Sequence, residues 1–248
     1  MSFFSKLFKK EAEMPPASLG QLKVDFHSHL IPGVDDGSRS MEESIQLIQG
    51  FKKLGYKKLI TTPHVMSDFY KNTPEIILGG LRKVKEELEK QQIEMELEAA
   101  AEYYLDEYLD EKIKSKSLLT FGENHVLFEL PFVAEPPNLA ATIFDLQTNG
   151  YKPILAHPER YGFWYNSFEK YHEMKDKGVA LQLNILSLIS HYSPETRKIA
   201  ERMIDENLIS FLGSDCHNTH HLGLIEDART KKYLHKLLES GLLKNEGL

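Results

Sequence analysis

Histidines and carboxylates recur in this sequence at spacings that could hold metal ions. Asp25-Phe26-His27-Ser28-His29 places two imidazoles two residues apart, and Asp215-Cys216-His217 repeats the spacing with a carboxylate and an imidazole. In an extended segment, residues two apart point to the same face, as ligands of one metal ion must. Imidazole and carboxylate ligands without thiolate favour Mn, Fe or Zn over soft-metal sites. These two segments therefore predict metal-assisted chemistry if the fold brings them together.

Further acidic and imidazole side chains stand beside short apolar runs elsewhere in the chain. They are Asp35 and Asp36 in the loop 32–37, His64 after Thr62-Pro63, Glu102, Glu129, and His157 in His157-Pro158-Glu159-Arg160. Glu102 and Glu129 interrupt apolar runs, where an unpaired carboxylate is unusual. A salt bridge to Arg160 is the alternative for one of the two, but there are too few basic residues nearby to pair all the acids. The pair His220-His221 is interpreted as part of a flexible loop after the last motif, with contact to substrate as the alternative.

The apolar runs beside these residues predict seven strands that alternate with helices. The predicted strands are 22–26, 58–62, 95–101, 125–130, 152–156, 179–184 and 208–213. Ser40 and Glu43 have the spacing of a capping box that opens the first helix, and Gly55 is placed to end it. The last helix is predicted over 225–240. Alternating strands and helices indicate parallel strands with crossover helices.

A distorted (β/α)7 barrel, similar to a TIM barrel, fits one α/β domain of this length, and an open doubly wound sheet is the alternative. The nucleotide-binding loops G-x-G-x-x-G and G-x-x-x-x-G-K are both absent, which weakens the open-sheet alternative. Active sites of such barrels lie where the strands end. Six of the seven predicted strand ends carry imidazole or carboxylate, and these would meet in one pocket. Buried charges that converge in this way need cations to be tolerable.

Composition limits the classes of function. The chain has 248 residues and a formal net charge of −7, from 30 Lys+Arg and 37 Asp+Glu, which argues against nucleic acid as a partner. Its single cysteine forms no internal disulfide, and no apolar run approaches the roughly 18 residues of a membrane helix. We therefore expect a cytoplasmic protein. Residues 1–21 are interpreted as a tail and linker, with a weak interfacial anchor at residues 1–10 as the alternative, and 22–248 as one domain.

In this order, the residues resemble the PHP (polymerase and histidinol phosphatase) superfamily. The closer resemblance is to its bacterial manganese-dependent protein-tyrosine phosphatases, which are associated with capsule and exopolysaccharide systems. The matching segments are Asp25-Phe26-His27-Ser28-His29-Leu30-Ile31-Pro32-Gly33-Val34-Asp35-Asp36-Gly37, Thr62-Pro63-His64, Glu102, Phe128-Glu129-Leu130-Pro131, Ala156-His157-Pro158-Glu159-Arg160 and Gly213-Ser214-Asp215-Cys216-His217-Asn218. They span about residues 22–224.

The resemblance implies a distorted barrel of the PHP type and three divalent metal ions, Mn first, with Fe or Zn as alternatives. It implies three ligand sets: His27, His29, Glu102 and Asp215; Glu102 as a bridge with Glu129 and His157; and Asp36, His64 and His217. Arg160 matches the arginine that binds the substrate phosphate, and water activated by the metals would hydrolyse the ester. One departure is clear: the family often has a second arginine shortly after Asn218, where this chain has Thr219-His220-His221-Leu222-Gly223.

The resemblance implies hydrolysis of phosphotyrosine in a protein, with a membrane-associated tyrosine kinase as a candidate partner. The alternatives are a small-molecule phosphomonoesterase like histidinol phosphatase, a metal amidohydrolase, and a non-catalytic, metal-stabilised partner of a membrane kinase. Cysteine-based phosphatase chemistry requires an arginine six positions after the nucleophile, and Leu222 stands there relative to Cys216. Cys216 also lies between two proposed ligands, so we expect its side chain to point away from the metals.

Overall fold

The computed structural model describes residues 14–248, and all strand ladders within them are parallel. The strands are β1 (Val24–Asp25), β2 (Lys58–Thr61), β3 (His64–Val65), β4 (Glu96–Ala99), β5 (Glu102–Tyr104), β6 (His125–Glu129), β7 (Lys152–Ala156), β8 (Ala180–Asn184) and β9 (Phe211–Gly213). They form two sheets, with the orders β1-β2-β4 and β3-β5-β6-β7-β8-β9. The prediction of a parallel α/β architecture is confirmed.

The two sheets share strand positions. Only Thr62 and Pro63 separate β2 from β3, and only Ala100 and Ala101 separate β4 from β5. The predicted strand 95–101 therefore ends earlier, at Ala99, and a second short strand that was not predicted begins at Glu102, with the interruption beside Pro63. Proline has no N–H to donate to a ladder, which explains the interruption. If β2 with β3, and β4 with β5, are each counted as one interrupted strand, seven strands surround the core, as the sequence predicts.

The seventh strand position returns to the first at the end where the strands finish. Asp215 N–H donates to the His27 carbonyl at 2.7 Å, and His29 N–H donates to the Cys216 carbonyl at 3.0 Å. An isolated parallel bridge pairs Ser28 with Cys216. These bonds bring the first and last motifs of the sequence side by side in a distorted barrel, although the two sheets do not merge into one continuous ladder.

At the opposite end, a side chain joins the first and last strands. The Asn245 amide Nδ2 donates to the Leu212 carbonyl at 2.7 Å and to the Val24 carbonyl at 3.2 Å, and its Oδ1 accepts from Leu212 N–H at 3.1 Å. Asn245 is buried. It thus links β1 to β9 where no backbone ladder does.

Helices cover the outside of the strands. They are α1 (Met41–Leu54), α2 (Pro74–Lys90), α3 (Glu107–Ser115), α4 (Leu139–Thr148), α5 (Glu169–Asp176), α6 (Pro194–Asp205), α7 (Thr219–Ala228) and α8 (Lys232–Glu239). The Ser40 side chain accepts from Glu43 N–H, and Gly55 ends α1 with a φ of 99°. The predicted cap and stop of the first helix are thus confirmed.

The end of the chain differs from the prediction. The single helix expected over 225–240 is wrong, because the chain forms α7 and α8 with a break between them. His220 and His221 lie in the first turn of α7 and not in a flexible loop. The Asn218 side chain accepts from His221 N–H at 3.1 Å and caps this helix, which accounts for its earlier start.

Residues just before β1 contact the C-terminal helices. Met14 N–H donates to the Thr230 carbonyl at 3.0 Å, Ala17 N–H donates to the Arg229 carbonyl at 2.9 Å, and Leu19 is fully buried. The interfacial anchor considered for residues 1–10 lies outside the described part of the chain. Among residues 14–248, no helix combines the length and apolar character needed to cross a bilayer.

A small apolar cluster fills the barrel beneath the strand ends. Ala100 and Leu127 belong to this cluster. Since side chains alternate along a strand, Glu102 and Glu129 follow them on the same inward face. Both carboxylates therefore project above the apolar filling, toward the end of the barrel where the strands finish.

Candidate metal centre

All nine predicted ligand residues meet at this end of the barrel. The first group consists of His27, His29, Glu102 and Asp215, whose ligand atoms lie within 4.8 Å of one another and are all buried. His27 Nε2 lies 3.1 Å from Glu102 Oε2 and 3.3 Å from Asp215 Oδ1. His29 Nε2 lies 3.4 Å from the same Asp215 oxygen. The structure thus assembles the first of the three implied ligand sets in full.

A second group consists of His29, Asp36, His64 and His217. His64 Nε2 and His217 Nε2 each lie 3.5 Å from Asp36 Oδ1. This group contains the implied set of Asp36, His64 and His217, with His29 at its border. Asp36 comes from the loop after β1, and His217 from the segment after β9, which the barrel closure places next to each other.

The third group contains Glu102 and Glu129, with His64 where the resemblance implies His157. His64 Nδ1 lies 3.2 Å from Glu102 Oε2 and 3.4 Å from Glu129 Oε1. His157 Nε2 approaches the same two carboxylates from the other side, at 3.1 Å from Glu102 Oε1 and 3.9 Å from Glu129 Oε2. Glu102 therefore contacts ligand nitrogens of His27, His64 and His157.

Several of these ligand atoms lack a hydrogen-bond partner. They are His27 Nε2, His29 Nε2, His64 Nδ1 and Glu102 Oε2, all buried and all directed at the same region. A buried polar atom left without a partner costs about 1–3 kcal/mol. Coordination of cations would satisfy all four atoms at once. The mixed nitrogen and oxygen donors fit divalent transition metals, so the residues present fit the metal ions that the sequence implies.

The second nitrogen of three histidines is already engaged. His27 Nδ1 donates to Gln182 Oε1 at 2.9 Å, His29 Nδ1 donates to Asp35 Oδ2 at 2.7 Å, and His217 Nδ1 donates to the Asp215 carbonyl at 2.8 Å. A proton held on Nδ1 leaves the Nε2 lone pair free, which is how proteins orient imidazoles for metal binding.

Asp35 and Gln182 are positioning residues to which the sequence analysis assigned no role. Asp35 Oδ2 also accepts from His64 N–H at 3.0 Å, so one carboxylate fixes two histidines. Burial opposes ionisation of Asp35, but its neighbour His29 lowers the pKa to about 2. The adjacency of Asp35 to Asp36 was the one available signal. Gln182 lies in the middle of β8, and its contact with His27 depends on the barrel and has no local signature.

Charge in the cluster is unevenly shared between its two glutamates. Burial favours the neutral acid at Glu102, but the surrounding imidazoles, His27 and His64 foremost, hold its pKa well below the usual range. Burial and then the Glu102 charge raise the pKa of Glu129 well above its usual range. Burial, reinforced by Arg160, lowers the pKa of His157 to about 4, so this imidazole stays neutral, as a metal ligand must.

A cavity opens above the cluster, and Arg160 lines it together with several ligand residues. The Arg160 Nη1 donates to Asp215 Oδ2 at 2.9 Å. Its guanidinium lies between two rings, with Cζ 4.1 Å from the Tyr192 centroid and 4.9 Å from the Phe132 centroid. Tyr192, Phe132, Tyr70, His191 and His221 also line the cavity. Sequence reasoning considered a substrate contact only for His221 and missed the other four, because they come from loops far apart in the chain.

Cys216 takes no part in the cluster. Its side chain is fully buried and packs in the large apolar core. Burial raises the pKa of the thiol well above its usual range, so no thiolate forms near neutral pH. This agrees with the expectation that Cys216 points away from the ligand atoms and is not a nucleophile.

The structure is a distorted barrel of parallel strands whose ends carry a cluster of His, Asp and Glu side chains that could hold metal ions. Residues 23–243 match the model of the family described as "Capsular polysaccharide synthesis, CpsB/CapC", and the chain belongs to this family. Two solved structures share the fold at 13% identity: an amidohydrolase from Mycoplasma synoviae, with a TM-score of 0.54, and a histidinol phosphate phosphatase from Lactococcus lactis, with 0.52.

Relatives of higher sequence identity are named as tyrosine-protein phosphatases or putative ones. The tyrosine-protein phosphatase YwqE of Bacillus subtilis is 28% identical, and the putative tyrosine-protein phosphatase CapC of Staphylococcus aureus is 31% identical. Each alignment covers 79% of this chain and 77% of the relative. One chain from the set described as "Crystal structures of YwqE from Bacillus subtilis and CpsB from Streptococcus pneumoniae, unique metal-dependent tyrosine phosphatases" matches with a TM-score of 0.76 at 26% identity. That match covers 90% of this chain and 95% of the matched one.

Proposed function

We propose that this protein is a metal-dependent protein-tyrosine phosphatase that acts in capsule or exopolysaccharide synthesis. The observation that carries the proposal is the cluster of nine imidazole and carboxylate side chains, most of them buried, beneath a cavity lined by Arg160; four ligand atoms directed into the cluster lack partners. Membership of the CpsB/CapC family and the names of the relatives support it.

Three divalent cations would be held by residues of this cluster, and Mn²⁺ is the ion we propose first, with Fe and Zn as alternatives. The three ligand sets are His27, His29, Glu102 and Asp215; Asp36, His64 and His217; and Glu102, Glu129 and His157. His64 faces the third set as well as the second. Bound there, the cations would supply positive charge that polarises the phosphoryl group for attack by water. Against four carboxylates, three divalent ions leave a net charge of about +2, which suits a phosphate dianion.

Arg160 would orient the substrate. A guanidinium binds two oxygens of one phosphate group through its planar fork, which an ammonium group does less well. Asp215 and the two flanking rings fix this guanidinium at the cavity wall. A tyrosyl leaving group has a pKa of about 10 as a phenol and therefore needs less proton donation than an alkyl alcohol. That difference favours tyrosine phosphate over serine phosphate at such a site.

As substrate we propose a phosphotyrosine protein, with a membrane-associated tyrosine kinase as the first candidate. Nucleic acid is not proposed, because the net charge of −7 would oppose a polyanion. We propose that the reaction takes place in the cytoplasm, where the phosphorylated segment of such a kinase would be accessible.

The proposal is tested with a phosphotyrosine peptide and added Mn²⁺, comparing the parent with His27→Ala and Arg160→Ala. Both variants should lose at least about 100-fold in kcat/KM while keeping the parent's circular dichroism spectrum. Cys216→Ala and His172→Ala are controls that should keep activity, since one side chain is buried away from the cluster and the other lies on the surface of α5.

Two outcomes would contradict the proposal. Retained activity in both His27→Ala and Arg160→Ala would exclude the metal cluster as the active site. A kcat/KM for small phosphate monoesters far above that for phosphotyrosine peptides would assign the protein as a small-molecule phosphatase.

A further inference from the structure

Arg160 is fixed by more than its ion pair. Its guanidinium carbon lies 4.1 Å from the centre of the Tyr192 ring and 4.9 Å from that of Phe132, on the wall of the cavity. A guanidinium over an aromatic face is attracted by the ring quadrupole and tends to lie in a fixed plane. Only Nη1 is used by Asp215, at 2.9 Å. The remaining N–H groups of Arg160 are therefore presented in an orientation that the rings define.

Tyr192 is itself anchored to the same network. Its hydroxyl accepts from Asn184 Nδ2 at 2.7 Å, and that Nδ2 also donates to Asp215 Oδ2 at 2.9 Å. Asn184 is fully buried at the end of β8, and its Oδ1 accepts from Leu186 N–H at 2.9 Å. The contacts form a closed ring through Arg160, Asp215, Asn184 and Tyr192. The position of the Tyr192 ring is thus set by the barrel.

We propose that Tyr192 is a positioning residue that holds the Arg160 guanidinium in the plane needed to bind two oxygens of a phosphate group. The proposal rests on the proposed function, in which Arg160 binds the substrate phosphate. With the Tyr192 ring absent, only the hydrogen bond to Asp215 and the more distant Phe132 ring hold the guanidinium, which gains freedom to rotate about the Asp215 contact. Two-point binding of the phosphate then requires an orientation that the free side chain adopts only part of the time.

The ring and the hydroxyl of Tyr192 are separable. Tyr192→Leu removes the aromatic face, and we expect KM for a phosphotyrosine peptide to rise about 5- to 30-fold, the range of a partly buried cation–π contact. The dissociation constant for inorganic phosphate, measured by calorimetry, should rise in parallel, while kcat stays within about threefold. Tyr192→Phe keeps the face and should restore most of the affinity. Metal content by mass spectrometry should be unchanged in both.

Tyr165→Leu is the matched control. Tyr165 is also a half-buried tyrosine, and its hydroxyl bonds Thr196 Oγ1 at 2.7 Å, but it does not line the cavity. The same substitution there should leave KM and phosphate affinity unchanged. If Tyr192→Leu fails to fold, Tyr192→Met fills similar volume with a side chain that has no aromatic face and takes its place.

A double-mutant cycle separates positioning from general support of the fold. In the Arg160→Ala background, Tyr192→Leu should cause no further loss of kcat/KM for p-nitrophenyl phosphate, because its effect passes through Arg160. Full additivity of the two losses, or unchanged phosphate affinity in Tyr192→Leu, would overturn the proposal. Phosphate binding needs no turnover, so a parent that binds phosphate through this pair yet hydrolyses no phosphotyrosine would contradict the proposed function alone.

Discussion

Asp215 presents its two carboxylate oxygens to different partners: Oδ2 accepts from Arg160 Nη1 at 2.9 Å, and Oδ1 lies 3.3 Å from His27 Nε2. One oxygen therefore faces the candidate metal ligands and the other holds the residue proposed to bind phosphate. Burial opposes ionisation of Asp215, but His27 and then His217 hold its pKa well below the usual range, so both oxygens carry charge. The residue proposed to bind phosphate and the candidate metal ligands are thus joined through a single side chain.

Asp215→Asn should therefore damage two properties together. We expect a loss of at least one bound metal equivalent and a rise in the dissociation constant for inorganic phosphate of about tenfold or more, because an amide is both a poorer ligand and a poorer partner for Arg160. Metal analysis and phosphate calorimetry measure the two effects. Asp205→Asn, at an exposed aspartate on α6, is the control. A variant with full metal content and weakened phosphate binding would show that the two roles are independent.

Gln182→Leu should weaken metal binding without touching a ligand. Loss of the 2.9 Å contact removes the group that fixes the His27 tautomer and ring, and changes of this kind cost about 10- to 100-fold in metal affinity. Gln182→Glu keeps an acceptor and should retain most of the affinity. Metal titration followed by activity reports the difference, with Gln91→Leu on the surface as control. Equal affinity in Gln182→Leu and the parent would remove this role from Gln182.

Chelation should lower thermal stability. Metal that binds only the folded state at 100 times its dissociation constant contributes about 2.7 kcal/mol, and each kcal/mol corresponds to about 2–4 °C at this chain length. We expect the Tm to fall by about 5–11 °C in EDTA and to return with excess Mn²⁺. His27→Ala should show a smaller difference between the two conditions. An unchanged Tm in the parent would argue against occupancy of the cluster.

Asn245→Ala should destabilise the fold while sparing the site. The substitution leaves buried backbone groups of β1 and β9 without partners, at a cost of about 2–3 kcal/mol in the free energy of unfolding. Asn149→Ala removes one hydrogen bond from a half-buried side chain and should cost about 0.5–1.5 kcal/mol. Urea unfolding measures both. Activity of Asn245→Ala at low temperature should match the parent, and its loss there would show that the closure also shapes the site.

His125 should make stability depend on pH. Burial lowers its pKa below the ordinary value, so the unfolded chain binds this proton more tightly than the folded protein does. The stabilising contribution is present above the unfolded-state pKa of about 6.5 and is lost as the pH falls through the folded-state value. His125→Leu should lose less stability than the parent between pH 7.5 and 5, measured by urea unfolding in EDTA. Parallel losses in the two proteins would contradict this assignment.

Most of the barrel could be predicted because strands and helices alternate with regular apolar patterns and recognisable caps. The strand at β7 has the predicted bounds, and the first helix begins and ends at its predicted cap and stop. The start of the final helical segment was predicted too late because the cap formed by Asn218 was not recognised. Propensity alone does not distinguish a continuous charged helix from two helices that bend around the core.

The candidate ligand residues could be named because imidazole and carboxylate side chains are concentrated in short motifs at strand ends. The residues that orient these side chains could not be identified from the sequence. Gln182 contacts His27, which lies 155 residues away in the sequence. The Tyr192 ring packs against the Arg160 guanidinium on the cavity wall. Such contacts depend on where the strands close and leave no local pattern. The structure adds them.

The burial of Cys216 has a consequence for control by oxidants. Peroxide reacts with thiolates, and a thiol that stays protonated within the apolar core offers neither charge nor access. Phosphatases that use a cysteine nucleophile can be inactivated reversibly by oxidation of that cysteine. Cys216 provides no such switch, so oxidative bursts that inactivate cysteine-based phosphatases would leave this thiol unmodified.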